Sequence, residues 1–375
     1  MTMHLRGPIL HFLHNRELDE LFATIAIRGF AASMIGIFIP IYLLTLGYSL
    51  KAVLIFFIIR QVVYALASFP TALLDARFGF KHAILISMPF FIAFLSMLAT
   101  LETMAWPLWI LAVLSGIQLA IFWTSYHTDF ALVADGKDMG KEVGFVKFIS
   151  KASNVVGPLL GGFLIVLIGF TNVLIVVNIL LLVSVVPLFF SKDTHSKSTL
   201  SIKKTFTGKG WKDYLALAAY GMESSVASVI WPVFIFFYIV SDFTTVGLIT
   251  TVSLSFSLIA VIVAAGLADK HYNFTIRFGA ITHTIIWGLK AFVTSAGQVF
   301  FADSFHGSSR SMLAVPFDAK MYKKAGRGDT LQYVLFRATA VSIGSTALFV
   351  AMIFIADLTS SFWMAGAASL IFLLY

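Results

Sequence analysis

The chain has 375 residues, 59% of them hydrophobic and only 12% charged, with a formal net charge of +8 and a mean hydropathy of +0.94. A water-soluble protein is about half apolar and a quarter charged, so a water-facing globule is excluded and lipid must solvate most of this surface. With no cysteine, disulfides, thiolate metal sites and cysteine nucleophiles are excluded too.

The opening stretch MTMHLRGPILHFLHNRELDEL is too polar for a cleavable leader and has no small-residue cleavage site. The first apolar segment therefore reads as a retained span. A helix crossing the hydrocarbon needs roughly 20 apolar residues. Twelve such stretches are expected, at 19–45, 50–74, 81–101, 106–131, 144–168, 171–191, 213–240, 244–267, 275–296, 298–317, 330–355 and 357–375. They are apolar all round rather than alternating, which disfavours strands. The fold class expected is thus an all-α membrane protein.

The loops orient the bundle. Nineteen Lys and Arg residues, from Arg6 and Arg16 through Lys192–Lys212 to Lys324 and Arg327, fall on one side, and Lys51 stands alone on the other. Short cytoplasmic loops retain basic residues, so both termini are expected in the cytoplasm, with the chain in the plasma (inner) membrane. The net charge is then a topological signature, and no nucleic-acid partner is expected. The expected partners are the lipid bilayer and a small-molecule substrate, the protein being a monomer. The longest polar interval, near 191–212, divides the chain into six-helix bundles at 1–190 and 213–375, joined by a cytoplasmic linker.

The two halves also resemble each other. Shifted by 188 residues, GFVKFISKASNVVG (144–157) and QYVLFRATAVSIGS (332–345) share Val146/Val334, Phe148/Phe336 and Ala152/Ala340. DFALVADGKDMGKE and DAKMYKKAGRGDTL match at a shift of 189, and Asp75 matches Asp269 at 194. Three matches in one order indicate a duplicated unit.

With these features the chain resembles the major facilitator superfamily. LLDARFGFKH (73–82) is similar to that family's loop between helices two and three, with Thr71 in the place of its first glycine and Gly79 one residue late. NVVGPLLGGF (154–163) is similar to its fifth-helix Gly-Pro-x-x-Gly-Gly segment. The fourth helix departs, reading FWTSYHTDF where proton-coupled families often carry Arg-Gly. The resemblance implies two pseudo-symmetric bundles and rocker-switch transport. It also implies no organic cofactor, with a proton or sodium as the open choices of coupling ion.

The resemblance assigns the charged corner to gating. Asp75, Arg77, Gly79 and Lys81, with Asp269 as the repeat counterpart of Asp75, form a latch able to break and re-form. In it Asp75 caps a neighbouring helix or pairs with Arg337, and Gly79 permits a tight turn. A solvated turn is the plain alternative. Gly157 and Gly161, four apart, allow close helix approach, and Pro158 allows a kink. Packing alone would explain them; the resemblance makes them, with Gly162, a pivot or seal between the halves.

Ionisable groups inside spans are costly and mark cavities. Glu223 lies roughly 15 Å into the seventh span at 1.5 Å per residue, with Ser224 and Ser225 expected to supply hydrogen bonds and Trp231 an aromatic wall. Asp303, His306 and Arg310 share one face of the tenth span; His306 is a proton carrier or a core histidine. Lys290 and Asp303 lie at equal depth and are expected to pair, as are Asp129 and Lys151. Trp123, Tyr126 and His127 line the inner cavity or anchor a helix end. Once the three acids are neutralised, Arg28 and Arg60 are the cations left over, and an uncompensated arginine wants a carboxylate or phosphate.

The function expected is a secondary transporter for a small organic anion or zwitterion. The alternatives are a polyspecific exporter of amphipathic cations drawn by Glu223 and a non-transporting membrane sensor. With no HExxH, GxSxG or P-loop in the chain, neither an enzyme nor a metal site is expected.

Overall fold

The computed structural model describes residues 16–133, 139–189, 205, 210–326, 329–355 and 357–374. The interval 191–212 expected as a linker lies largely outside them. No strand occurs among the described residues, and a helical rod stands in each of the twelve expected intervals. Eight rods are long and apolar enough to cross a membrane on length and composition. Phe170–Val185 and Leu358–Leu374 are shorter apolar helices. The ninth and tenth rods, Tyr272–Lys290 and Ala296–Gly326, are diluted by the polar residues that build the site below.

Local chemistry sets the rod ends. The second rod, Leu50–Phe78, starts where Ser49 accepts from the Ala52 amide at 3.2 Å and stops at Gly79. There φ is +88° and the amide returns to the Asp75 carbonyl, a left-handed corner natural only to glycine. Asp242 caps the eighth rod, Phe243–Lys270, through the Thr245 amide at 2.7 Å. Asp357 caps the twelfth through the amides of Thr359 and Ser360. Each supplies an acceptor to amides with no partner of their own at a helix start.

Three rods are interrupted. The first breaks between Arg16–Ile35 and Ile39–Thr45, with a proline near the restart. The fifth breaks between Met139–Asn154 and Gly157–Ile168, where Pro158 falls. The seventh, Trp211–Val240, loosens into wider π-type turns at Val226–Ile230 and Ile235–Val240, on either side of Trp231–Phe234. Pro232 has no N–H to donate within this stretch, and such widened turns commonly accompany functional sites.

The packing has an internal symmetry. Rod one packs on rods five and six, two on four, and three on four and six; adding six to each number gives seven on eleven and twelve, eight on ten, and nine on ten and twelve, all of which occur. The contacts joining the sets obey the same exchange: two on eleven becomes eight on five, and both are present. This is an all-α membrane protein of two pseudo-symmetric six-helix bundles.

Glycines allow the closest approaches. A Cβ on Gly161 would sit 1.8 Å from the Met34 carbonyl oxygen, and one on Gly157 1.8 Å from Ser33 Oγ. Both therefore seat the fifth rod on the first. A Cβ on Gly162 would instead meet the Phe243 carbonyl oxygen at 2.3 Å, and one on Gly247 the Pro158 carbonyl oxygen at 2.2 Å, so one side of the Gly-Pro segment abuts the opposite bundle.

Candidate functional site

Polar side chains gather in three places. The first is in the N-terminal bundle. Arg28 is buried; its Nη2 donates to Gln118 Oε1 at 2.9 Å, and its guanidinium lies 3.4 Å from the Phe122 ring centroid and 5.1 Å from that of Phe91. Arg60 lies 4.7 Å from the Phe57 ring centroid. Neither has an acidic partner among the described residues, and the Nε of each is buried without an acceptor. Ring faces attract cations but neutralise no charge. Lys151, on the fifth rod, donates to Ser257 Oγ of the eighth, and Ser257 in turn contacts Ser311 at 2.7 Å. This corrects the expected pairing with Asp129: equal depth did not put the two on facing sides of their helices.

The second cluster lies in the C-terminal bundle. Glu223 Oε1 is 3.0 Å from His283 Nε2, and its Oε2 is 3.4 Å from Arg310 Nε. Arg310 also donates to Ser224 Oγ at 2.8 Å. Lys290, fully buried, sits 2.6 Å from Asp303 Oδ1 and over the rings of Trp231 and Trp287. Trp231, expected as an aromatic wall of Glu223, places its indole N–H 3.0 Å from each oxygen of Asp303. The His306 ring lies against that of His283, with centroids 4.7 Å apart. Among the described residues, no hydrogen bond or ion pair joins Arg28 or Arg60 to this cluster. Sequence reasoning overlooked His283, although His283, Trp287 and Lys290 follow at helical spacing on one face, which was the available signal.

The third is a set of ties between the bundles at the end carrying the basic loops. Arg337 Nη1 lies 2.7 Å from His127 Nε2, and Tyr322 Oη lies 2.6 Å from His127 Nδ1. A guanidinium only donates, so Nε2 must accept and Nδ1 must carry the hydrogen. His127 is then neutral, and an imidazolium would have no lone pair left for Arg337. Trp123 stacks on His127, and Tyr126 meets it edge-on. Lys147 Nζ reaches Asp318 Oδ2 at 2.6 Å, and the Lys141 amide donates to Asp269 Oδ2 at 3.2 Å. The expected Asp75–Arg337 pair does not form: Asp75 accepts from Ser125 at 2.6 Å, while Arg337 is taken by His127. Arg77 is exposed and lies over Phe78; the side chain of Lys81 lies outside the described residues.

Comparisons with known proteins point one way. A family model described as the Major Facilitator Superfamily matches residues 21–221, more than half of the chain. The fold is similar to that of the E. coli fucose:proton symporter FucP, with a TM-score of 0.68, 12% identity and 98% of each chain covered. It is also similar to a bacterial homologue of the iron transporter ferroportin in an outward-facing state (TM-score 0.67, 16% identity, 96% of this chain and 98% of that one). The proton:xylose symporter XylE matches at a TM-score of 0.65 and 13% identity, over 95% and 94% of the two chains. No curated protein matches the chain.

Proposed function

Because the chain belongs to the Major Facilitator Superfamily, we propose that it is a secondary transporter whose two bundles rock about a central site to carry a small organic anion. Its cytoplasmic side is the end with the basic loops, and the boundaries of the moving units lie near residues 190 and 213. The observation that carries the substrate class is the pair Arg28 and Arg60, two cations without a carboxylate, each with a buried Nε lacking an acceptor. A guanidinium held this way inside a membrane protein costs several kcal/mol unless something anionic visits it, and its planar fork suits a carboxylate.

The cluster around Glu223 is the place for the coupling cation, which is a proton in FucP and XylE as those proteins are described. The ties His127–Arg337 and Lys147–Asp318 close the cytoplasmic end, giving a state open to the opposite side.

Uptake of a library of small organic acids into proteoliposomes, with and without a pH gradient, tests this. At least one acid is expected to accumulate, and Arg28→Met is expected to abolish its uptake. Accumulation of cations alone, or acid uptake indifferent to Arg28→Met, would overturn the anion reading.

A further inference from the structure

The contacts of His283 leave a chemical imbalance. Trp287 Nε1 lies 3.2 Å from His283 Nε2, and an indole N–H can only donate, so Nε2 presents its lone pair. The other ring nitrogen agrees. Ser309 Oγ donates to the His306 carbonyl at 3.1 Å and lies 2.8 Å from His283 Nδ1, so Nδ1 carries the hydrogen. Yet Glu223 Oε1 lies 3.0 Å from that same Nε2, so the carboxylate faces a nitrogen that has no hydrogen to give it.

Two electron-rich atoms at that distance need a positive centre between them. A proton would serve two atoms, but a third is present. One ring nitrogen of His306, one of His283 and one oxygen of Glu223 all lie within 4.8 Å of one another. His306 is buried, and its Nδ1 has no partner.

We propose that Glu223, His283 and His306 form a binding site for a divalent late first-row transition ion such as Zn²⁺, Co²⁺ or Fe²⁺. Two imidazoles and one carboxylate are the donor set these ions favour. Metal–nitrogen bonds of about 2.0–2.1 Å set tetrahedral donors roughly 3.4 Å apart, so side-chain movements that draw the three donors in from within 4.8 Å and take His283 Nε2 off the Trp287 N–H complete the site and leave the fourth position open. Ser309 holds the far nitrogen of His283, as metal-bound imidazoles are usually held.

Arg310 is the displaceable counter-ion. Its guanidinium is 3.4 Å from the carboxylate, its side chain is 32% exposed, and Ser224 gives it a second anchor. An arriving ion takes the carboxylate while Arg310 stays with Ser224. The other nearby cation, Lys290, is already neutralised by Asp303. This assignment does not rest on Arg28, Arg60 or the anion reading.

The test is titration of the purified full-length protein in detergent with Co²⁺, followed by visible d–d absorption. One equivalent is expected to bind with the intense bands of a tetrahedral, imidazole-ligated ion. His306→Ala is expected to weaken binding at least tenfold and alter the bands, and Arg310→Ala to tighten it by removing the competitor. Absence of saturable Co²⁺ absorption in the unmodified protein, bands indifferent to His306→Ala, or no tightening in Arg310→Ala would each overturn the site. Because the readout is spectroscopic and Arg28 is intact, failure here is distinguishable from failure of acid transport.

Discussion

Replacing Asp318 with asparagine should open the end that carries the basic loops. Asp318 is 7% exposed in its side chain, and its partner Lys147, on the opposite bundle, is 24% exposed. Removing one member of a fully buried pair costs about 3–5 kcal/mol, because the other charge is left uncompensated. The partial exposure of Lys147 lets water take over some of that role, which lowers the expected cost to roughly 1.5–3 kcal/mol. The cost falls only on the state in which the bundles meet at this end. At 1.4 kcal/mol per tenfold change, the closed-to-open ratio should drop by about 10- to 100-fold.

Since the chain has no cysteine, Ala131→Cys supplies a unique probe: Ala131 is 3% exposed and packs near the tie. Maleimide labelling should be slow in that background and at least tenfold faster once Asp318→Asn is added. Lys147→Met in the same chain should reverse part of the gain by removing the stranded ammonium. Unchanged labelling in a folded Asp318→Asn protein would refute the reasoning.

Gly161→Ala would place a methyl group 1.8 Å from a backbone oxygen and should depress the melting temperature sharply, whereas Gly266→Ala, with nothing within 4 Å, should be neutral or raise it slightly. Asp303→Asn should cost about 3–5 kcal/mol by stranding the fully buried Lys290, with Trp231→Phe costing about 1–3 kcal/mol through the lost indole hydrogen bond; thermal denaturation in detergent would rank the two. The twelfth apolar helix starts at Leu358 rather than at 357, which leaves the Asp357 carboxyl just outside it as the cap, and hydrogen bonds from Thr359 and Ser360 hold that carboxyl below its ordinary range. Its cap therefore stabilises above the unfolded pKa and is lost as pH falls through the lower folded value. Melting curves at falling pH should show this loss in the unmodified chain and a smaller pH effect in Asp357→Asn, whose amide caps equally well but does not titrate.

How much of this was legible in the sequence follows from what a sequence encodes. Long apolar runs and basic loops mark where rods lie, because lipid penalises any other arrangement. The corner at Gly79 was readable for the same reason: only glycine takes that φ easily. The breadth of the seventh rod's π-type turns was not, since Pro232 announces a missing hydrogen bond but not how neighbouring turns absorb it.

Depth in the membrane can be counted along a helix, but rotation about its axis cannot, and that separates the two pairing expectations. Lys290 and Asp303 belong to consecutive rods of one bundle and meet. Asp129 and Lys151 have similar depth, yet Lys151 turns to Ser257 on the other bundle. Arg337 turns to His127 in the same way and leaves Asp75 to Ser125. His283 escaped notice because a neutral histidine adds nothing to a charge count. It is its partners Glu223, Trp287 and Ser309 that make it chemically unusual.

Rocking about an anion-holding centre is tested most directly by pulsed dipolar EPR on Phe78→Cys/Arg277→Cys, two exposed positions at the basic ends of opposite bundles. Spin labels there should report a single short separation without solute. A second, longer separation should appear when a transported organic acid is added, and Arg28→Met should prevent it. One separation, unaltered by any acid or gradient that drives uptake, would contradict the account.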